Sequence, residues 1–251
     1  MPEYSDAQII ELFHLSFLRV LGSRLDPSHY VLKGGANLRY FMASVRYSED
    51  IDLDMEGIEP WKLADKVDDV LGSPAMGIVL RAGGLSVDAV TKPKQTDTTR
   101  RWKVGIAAPG RSEALRTKIE FSRRNGEDRY ATEPVPGEIV APYALAAPVI
   151  RHYLPPAATD QKILALAGRS ETQARDVFDL ELLLRGVSSE DIKTDAAGRR
   201  AAADRGLELP FEAFRDQVLP FLDPDVADLY GTREFWERAQ LTVAQRLTEG
   251  P

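Results

Sequence analysis

The sequence predicts an α/β protein in two parts, the first mixing strands with helices and the second mostly helical. Three observations lead there. Through residues 6–122, short apolar runs and one clean period-2 stretch alternate with helical spacing. Prolines then fall at 134, 136, 142, 148, 155 and 156 and interrupt every pattern. Beyond them the apolar spacing is helical. The expected division is 1–133 and 134–251.

Ile9, Ile10, Leu12, Phe13, Phe17, Leu18, Val20 and Leu21 recur near 3.6-residue spacing over 6–22, and Gly22 offers a stop. Tyr30-Val31-Leu32 reads as a short strand entering Gly34-Gly35, and 36–43 as a helix burying Leu38, Phe41 and Met42. Residues 51–55 form a strand, and Pro60-Trp61 opens a helix to about Leu71. Val79-Leu80, Leu85–Val90 and Trp102–Ala107 read as strands, broken by Gly83-Gly84 and by a polar link over 92–100. Residues 114–122 alternate. Leu115, Thr117, Ile119 and Phe121 lie on one side; Arg116, Lys118, Glu120 and Ser122 lie on the other. In the second part, 159–167 is a helix closed by Gly168. Ser170–Gln173 has the capping-box pattern for a helix running to Arg185 and stopping at Gly186. Residues 196–206 read as a frayed helix or a loop, and two or three helices follow Phe211 with Trp236 in their core.

A chain of 251 residues can bury a real core, and 43% hydrophobic with 28% charged residues is ordinary for a soluble globular protein. No window has the apolar run of a membrane span, and the first residues lack the basic and apolar regions of a secretory signal, so no membrane is expected. The absence of cysteine excludes disulfides and thiolate metal sites and suits a cytoplasmic protein. His14, His29 and His152 form no ligand spacing, which argues against zinc. The net charge of −7 argues against indiscriminate nucleic-acid binding. Between Lys92 and Arg129, however, eleven Lys/Arg stand against five Asp/Glu. Such a segment either steers an anion to one face or is a solvated hairpin.

The chemistry concentrates in two places. Lys33-Gly34-Gly35 offers bare backbone N–H groups to a phosphate at a strand end. Asp50, Asp52 and Asp54 then alternate with Ile51, Leu53 and Met55, so the acids share one strand face. Carboxylates so placed repel one another unless a cation sits among them, and Mg²⁺ suits a few carboxylates plus substrate phosphates. If the 114–122 strand pairs with this one, Glu120 joins Asp50 and Asp52, either as a third metal ligand or as the base that takes a hydroxyl proton. An acidic sheet edge would carry the same residues for solubility. The second place holds Lys162, Arg169, Arg175, Asp176 and Asp179. Asp176 and Asp179 share a helix face, while Lys162 and Arg169 suit triphosphate oxygens. Asp176 either holds those cations or acts on the acceptor.

These blocks resemble the AbiEii/MenT-like nucleotidyltransferases, toxins of bacterial toxin–antitoxin pairs that are similar in turn to the DNA polymerase β nucleotidyltransferase superfamily. The family pattern K-G-G-[ST]-x-L-R matches Lys33 to Arg39, and R-x-S-x-D-I-D-L matches Arg46 to Leu53. Lys118–Ser122, Lys162 to Arg169, and Arg175–Leu180 match the later motifs in order. The resemblance implies a mixed-sheet nucleotidyltransferase core with a mostly helical C-terminal lobe that completes the active site. It makes Asp50 and Asp52 metal ligands for Mg²⁺ (or Mn²⁺). Lys33, Gly34, Gly35, Ser48, Lys162 and Arg169 become contacts to an NTP, and Asp176 an essential acid. Ala36 departs from the usual Ser or Thr, so either backbone N–H groups suffice there or Asn37 substitutes. Family members add nucleotides, often pyrimidines, to the 3′ end of tRNA. That implies tRNA and a cognate antitoxin as partners, with Lys92, Lys94, Arg100, Arg101, Lys103, Arg123 and Arg124 facing RNA. Transfer to a small molecule or a protein hydroxyl, and a catalytically dead nucleotide-binding module, are the alternatives.

Overall fold

The computed structural model describes residues 4–123 and 129–249. Ser5 and Gln8 cap each other's backbone and start α1 (Asp6–Gly22). After one 3-10 turn, β1 (Tyr30–Lys33) passes without a loop into α2 (Gly34–Phe41). β2 (Ile51–Met55) is followed by α3 (Pro60–Leu71) and α4 (Pro74–Ala82), each opened by a proline whose missing N–H has no helical partner to lose. The hairpin β3 (Ser86–Gln95) and β4 (Thr99–Ala107) leads to β5 (Leu115–Arg123), β6 (Tyr130–Pro134), the single turn α5 (Gly137–Val140) and β7 (Val149–Tyr153).

The strands make one sheet in the order β3-β4-β5-β2-β1-β7-β6. β2 runs parallel to β5 and β1 parallel to β7; the other neighbours are antiparallel. Alternation decides what each face does. Ile51, Leu53, Trp102, Ile119 and Phe121 are fully buried and share a core with Leu12, Phe13, Leu63, Val67 and Leu80 of α1, α3 and α4. Each such side chain contributes roughly 1.5–3 kcal/mol on burial. The opposite parity puts Asp52 and Asp54 of β2, Lys118 and Glu120 of β5, and Arg101 and Lys103 of β4 on the other face. That face carries Asp52, Glu120 and the lysines and arginines beside them.

The chain divides into two compact units, residues 1–41 with 47–153, and residues 42–46 with 154–251. The second holds α6 (Pro155–Gly168), α7 (Ala174–Leu183), α8 (Ala196–Leu207), α9 (Phe211–Gln217), α10 (Pro224–Tyr230) and α11 (Arg233–Thr248). It has its own core, in which Phe214 stacks on Trp236 at 4.8 Å and meets Phe178 and Phe235. Among the described residues no helix is long and apolar enough to cross a membrane.

Several elements differ from the sequence reading. Val79-Leu80 lie within α4, because Ser73 caps Met76 N and Pro74 sets the first turn; a two-residue apolar run does not distinguish strand from helix. The polar link over 92–100 is mostly strand. Pro93 is tolerated because β3 is an edge strand with register shifts around it. The prolines after 133 do not end the sheet: Pro134 closes the edge strand β6, β7 follows, and the units part at Tyr153/Leu154. The helix expected after Ser170–Gln173 starts at Ala174 with no side-chain cap at Gln173; Gln217 instead accepts from Ala174 N at 2.8 Å. Residues 196–206 are a full helix, capped by Asp195 and packed closely at Ala202, Ala203 and Gly206.

Candidate active site

The Gly-Gly pair forms the first turn of α2 rather than a turn before it. Gly34 has φ +69°, and a Cβ there would stand 3.1 Å from Asp52 Oδ2. The Asp52 carboxylate thus lies against the Gly34 backbone, where only glycine fits without strain. Gly34→Ala is expected to cost about 1–2 kcal/mol of stability and to displace the Asp52 carboxylate. The readout is a urea midpoint; an unchanged midpoint would mean that the backbone relaxes away from Asp52.

Lys33 pairs in register with Asp52, but its ammonium is taken by the fully buried Asp54, which also accepts from Tyr153 Oη at 2.8 Å. Asp54 is therefore a structural acid that locks β1, β2 and β7 together, and Lys33 is buried with it. Asp50 precedes β2 and pairs with Lys118 at 2.6 Å; Glu120, opposite Asp52 on the parallel strand, pairs with Arg101 at 2.6 Å. The Ser48 hydroxyl donates to the Asp50 carbonyl at 2.7 Å and shapes the entry to β2. Asp52 keeps some exposed surface, yet its carboxyl is raised above the usual carboxylate range. Burial is the main cause, Lys118 and Lys33 oppose it, and Asp50 and Glu120 add repulsion. Asn37 does not stand in for the hydroxyl missing at Ala36. It is fully buried, donates to the Tyr153 carbonyl at 2.9 Å and meets His152 Nδ1 at 3.1 Å. The Ala36 methyl is itself in the core.

Among the described residues no three His, Cys, Asp or Glu side chains form a ready metal cage. Glu120 and Asp50 are turned to Arg101 and Lys118. A cation that takes one or two carboxylates and fills its shell with substrate oxygens still fits Asp50 and Asp52. The donors are hard oxygens, and the raised Asp52 carboxyl has repulsion left to relieve.

Behind Asp50 stands a buried relay. Thr117 Oγ1 donates to the Glu49 carbonyl at 2.8 Å, so His14 Nε2, 2.7 Å from that oxygen, must be the donor in its own contact. His14 is neutral: burial pushes it down to about 3. The unfolded chain takes this proton below the ordinary imidazole value of 6.5, so stability from the neutral ring is full above 6.5 and is lost as pH falls toward 3. The slope is at most about 1.4 kcal/mol per pH unit. His14→Gln keeps a donor and should flatten the pH dependence of unfolding free energy, measured in urea, over that window; an equal slope would mean another group titrates there.

In the second unit Lys162 is buried between Asp176 Oδ1 at 2.9 Å and Asp179 Oδ2 at 2.6 Å. Arg46 holds Asp179 through two nitrogens, and Arg169 Nε lies 3.1 Å from Asp176 Oδ2. That contact is an ion pair without hydrogen-bond geometry, so the buried Oδ2 accepts no hydrogen bond among the described residues. Burial alone would raise Asp179, but Arg46 and Lys162 hold it down to about 2. Three cations thus surround two carboxylates. Arg46 is the member that the sequence reading left without a role, although it opens the block that carries Asp50 and Asp52. Arg205 also escaped that reading. It donates to the carbonyls of Ala167 and Arg169 and so fixes the loop carrying Arg169.

The basic segment is not one surface. Lys92 pairs with Asp68 at 2.5 Å and Arg101 with Glu120. Arg100, of opposite parity to Arg101, reaches Gln95, and Arg123 donates to the Ile58 carbonyl. Lys94 and Lys103 are exposed, with no ion-pair partner among the described residues. Arg124 lies outside the described residues.

A mixed sheet with a glycine-opened helix against Asp52, followed by a helical unit, is a fold this chain shares with solved nucleotidyltransferases. The chain resembles MenT4, a nucleotidyltransferase toxin from Mycobacterium tuberculosis H37Rv, with a TM-score of 0.67 at 16% identity over 98% of this chain and 85% of that one. It also resembles JHP933 from Helicobacter pylori, with a TM-score of 0.56 at 20% identity over 98% and 94%. No protein of curated function matches it in sequence. The family profile described as nucleotidyl transferase AbiEii toxin, type IV toxin–antitoxin system, matches residues 16–240. The chain belongs to this AbiEii family, and the family implies an antitoxin partner.

Proposed function

We propose that this toxin transfers an NMP from an NTP, a pyrimidine by its family resemblance, to the 3′ end of tRNA in a divalent-metal-dependent reaction. The observation that carries the reading is the Asp52 carboxylate, set against Gly34 and raised by burial beside Asp50 and Glu120. Asp50 and Asp52 would hold Mg²⁺ or Mn²⁺, which when bound supplies electrostatic stabilisation of phosphoryl oxygens. The first-turn N–H groups of α2 bind phosphate. Glu120, released from Arg101, accepts the hydroxyl proton. In the second unit Lys162 and Arg169 bind the triphosphate as charge grows on the leaving pyrophosphate, and Asp176 orients both cations. The helical part is in this reading a working part of the enzyme, and the reaction takes place in the cytoplasm.

Incubation with Mg²⁺, each labelled NTP and total tRNA tests it. Label is expected in tRNA and should vanish with EDTA. Label on a small molecule or on protein would replace the acceptor. NTP binding without any transfer would make the chain an inactive nucleotide-binding module.

A further inference from the structure

The sheet of the first unit carries a cleft of about 770 Å³ over β3, β4 and β5. Its size is in the range of a nucleotide site. Asp50 and Lys118 belong to its wall, so it reaches one of the two acids of the candidate site. Two cations, Lys103 and Arg116, and two carboxylates, Asp88 and Glu113, also line it. None of the four has an ion-pair partner among the described residues, although they share one cleft. Lys103 stands directly opposite Lys118 in register. Asp50 already neutralises Lys118, which leaves Lys103 unmatched. Gly105, opposite Arg116, keeps the floor low: a Cβ there would meet Asp88, Ala114 and Ala89 at 3.4–3.5 Å.

Unpaired charges of both signs call for a ligand that carries an anion and hydrogen-bond donors together. A nucleotide has both, in its phosphate and in the amino group of its base. We propose that this cleft binds the single-stranded 3′ end of the acceptor RNA, a step that rests on the transferase reading above. Lys103 and Arg116 take its backbone phosphates. Asp88 and Glu113 accept from exocyclic amines, as carboxylates do from cytosine N4. Strands ending in adenine or cytosine are therefore favoured over strands ending in uracil. Asp50 at the wall brings the terminal hydroxyl to the acid pair. Arg116 was not among the cations the sequence singled out, because its opposition to Gly105 is set by strand register alone.

The test uses the full chain, a fluorescent twelve-nucleotide RNA with a free 3′ hydroxyl, and NTP binding as a separate measurement. K103E/R116E changes exposed residues and should fold. It is expected to weaken RNA binding at least tenfold, with a smaller effect on NTP. Two lost phosphate contacts should flatten the slope of log affinity against log salt by roughly 0.7 each. Gly105→Leu, which fills the floor, should weaken RNA binding without flattening that slope. Transfer to RNA by the wild type, with unchanged RNA affinity in both variants, overturns the cleft and leaves the transferase reading standing. Variants that lose RNA affinity, in a protein whose wild type labels no RNA, uphold the cleft and overturn that reading. NTP affinity falling as far as RNA affinity assigns the cleft to NTP and overturns the proposal.

Discussion

Asp52→Asn is expected to abolish transfer, by on the order of 10³-fold or more, while raising the melting temperature of the metal-free protein. The two effects have one cause. Burial, with Asp50 and Glu120 adding repulsion, raises the Asp52 carboxyl above the ordinary carboxylate value of 3.8, so the ionised form costs stability at neutral pH. An amide of the same shape removes that cost. The gain should be full above the raised value and absent below 3.8, where the carboxyl is protonated in both folded and unfolded chains. Calorimetry at pH 7 and pH 3.5 reads the stability, and label transfer reads the chemistry. A variant that still transfers would place the site elsewhere. A lower melting temperature would make Asp52 a structural acceptor.

Lys162→Ala is expected to cost about 3–5 kcal/mol of stability, because it leaves charged Asp176 and Asp179 buried without their shared partner. Slower transfer and weaker NTP binding should accompany that loss. Arg169→Ala separates the two effects. Its side chain is 41% exposed, so its loss is expected to cost less stability than that of the buried Lys162, yet a triphosphate role predicts weaker NTP binding. Urea unfolding and NTP titration on both variants decide the matter. Intact stability in Lys162→Ala would mean that the network rearranges around the loss. Intact NTP binding in both would detach the cluster from the substrate. At low pH the Asp179 contribution should fade as pH falls from 3.8 to about 2, since its folded value is depressed.

Much of this site is local and was therefore legible in the chain. Alternation placed Asp52 and Glu120 on solvent-side positions of strands that do pair, and Asp52 and Glu120 are register partners. Asp176 and Asp179 share one helix face and, through it, one lysine. The partners of these groups were not legible. Lys33 looked like a phosphate ligand until Asp54 and Tyr153, 21 and 120 residues further on, enclosed it. Asp54 continues the same alternation as Asp52; its depth at the centre of the sheet, not its spacing, makes it structural. The basic count over 92–129 likewise treated as one surface side chains that neighbouring strands and α3 divide among Asp68, Glu120 and solvent.

Periodicity and spacing, which depend on a residue's near neighbours, were enough to specify the strands that carry Asp52 and Glu120, a helix close after the glycine pair and the helical second part. Pairing across distant segments was settled by the folded chain, because register and depth determine which charge meets which. That is how Lys33 came to Asp54, Arg46 to Asp179, and Asn37 to the Tyr153 carbonyl. It is also how Lys103 and Arg116 came to line one cleft without an ion-pair partner among the described residues, beside the carboxylate that precedes β2.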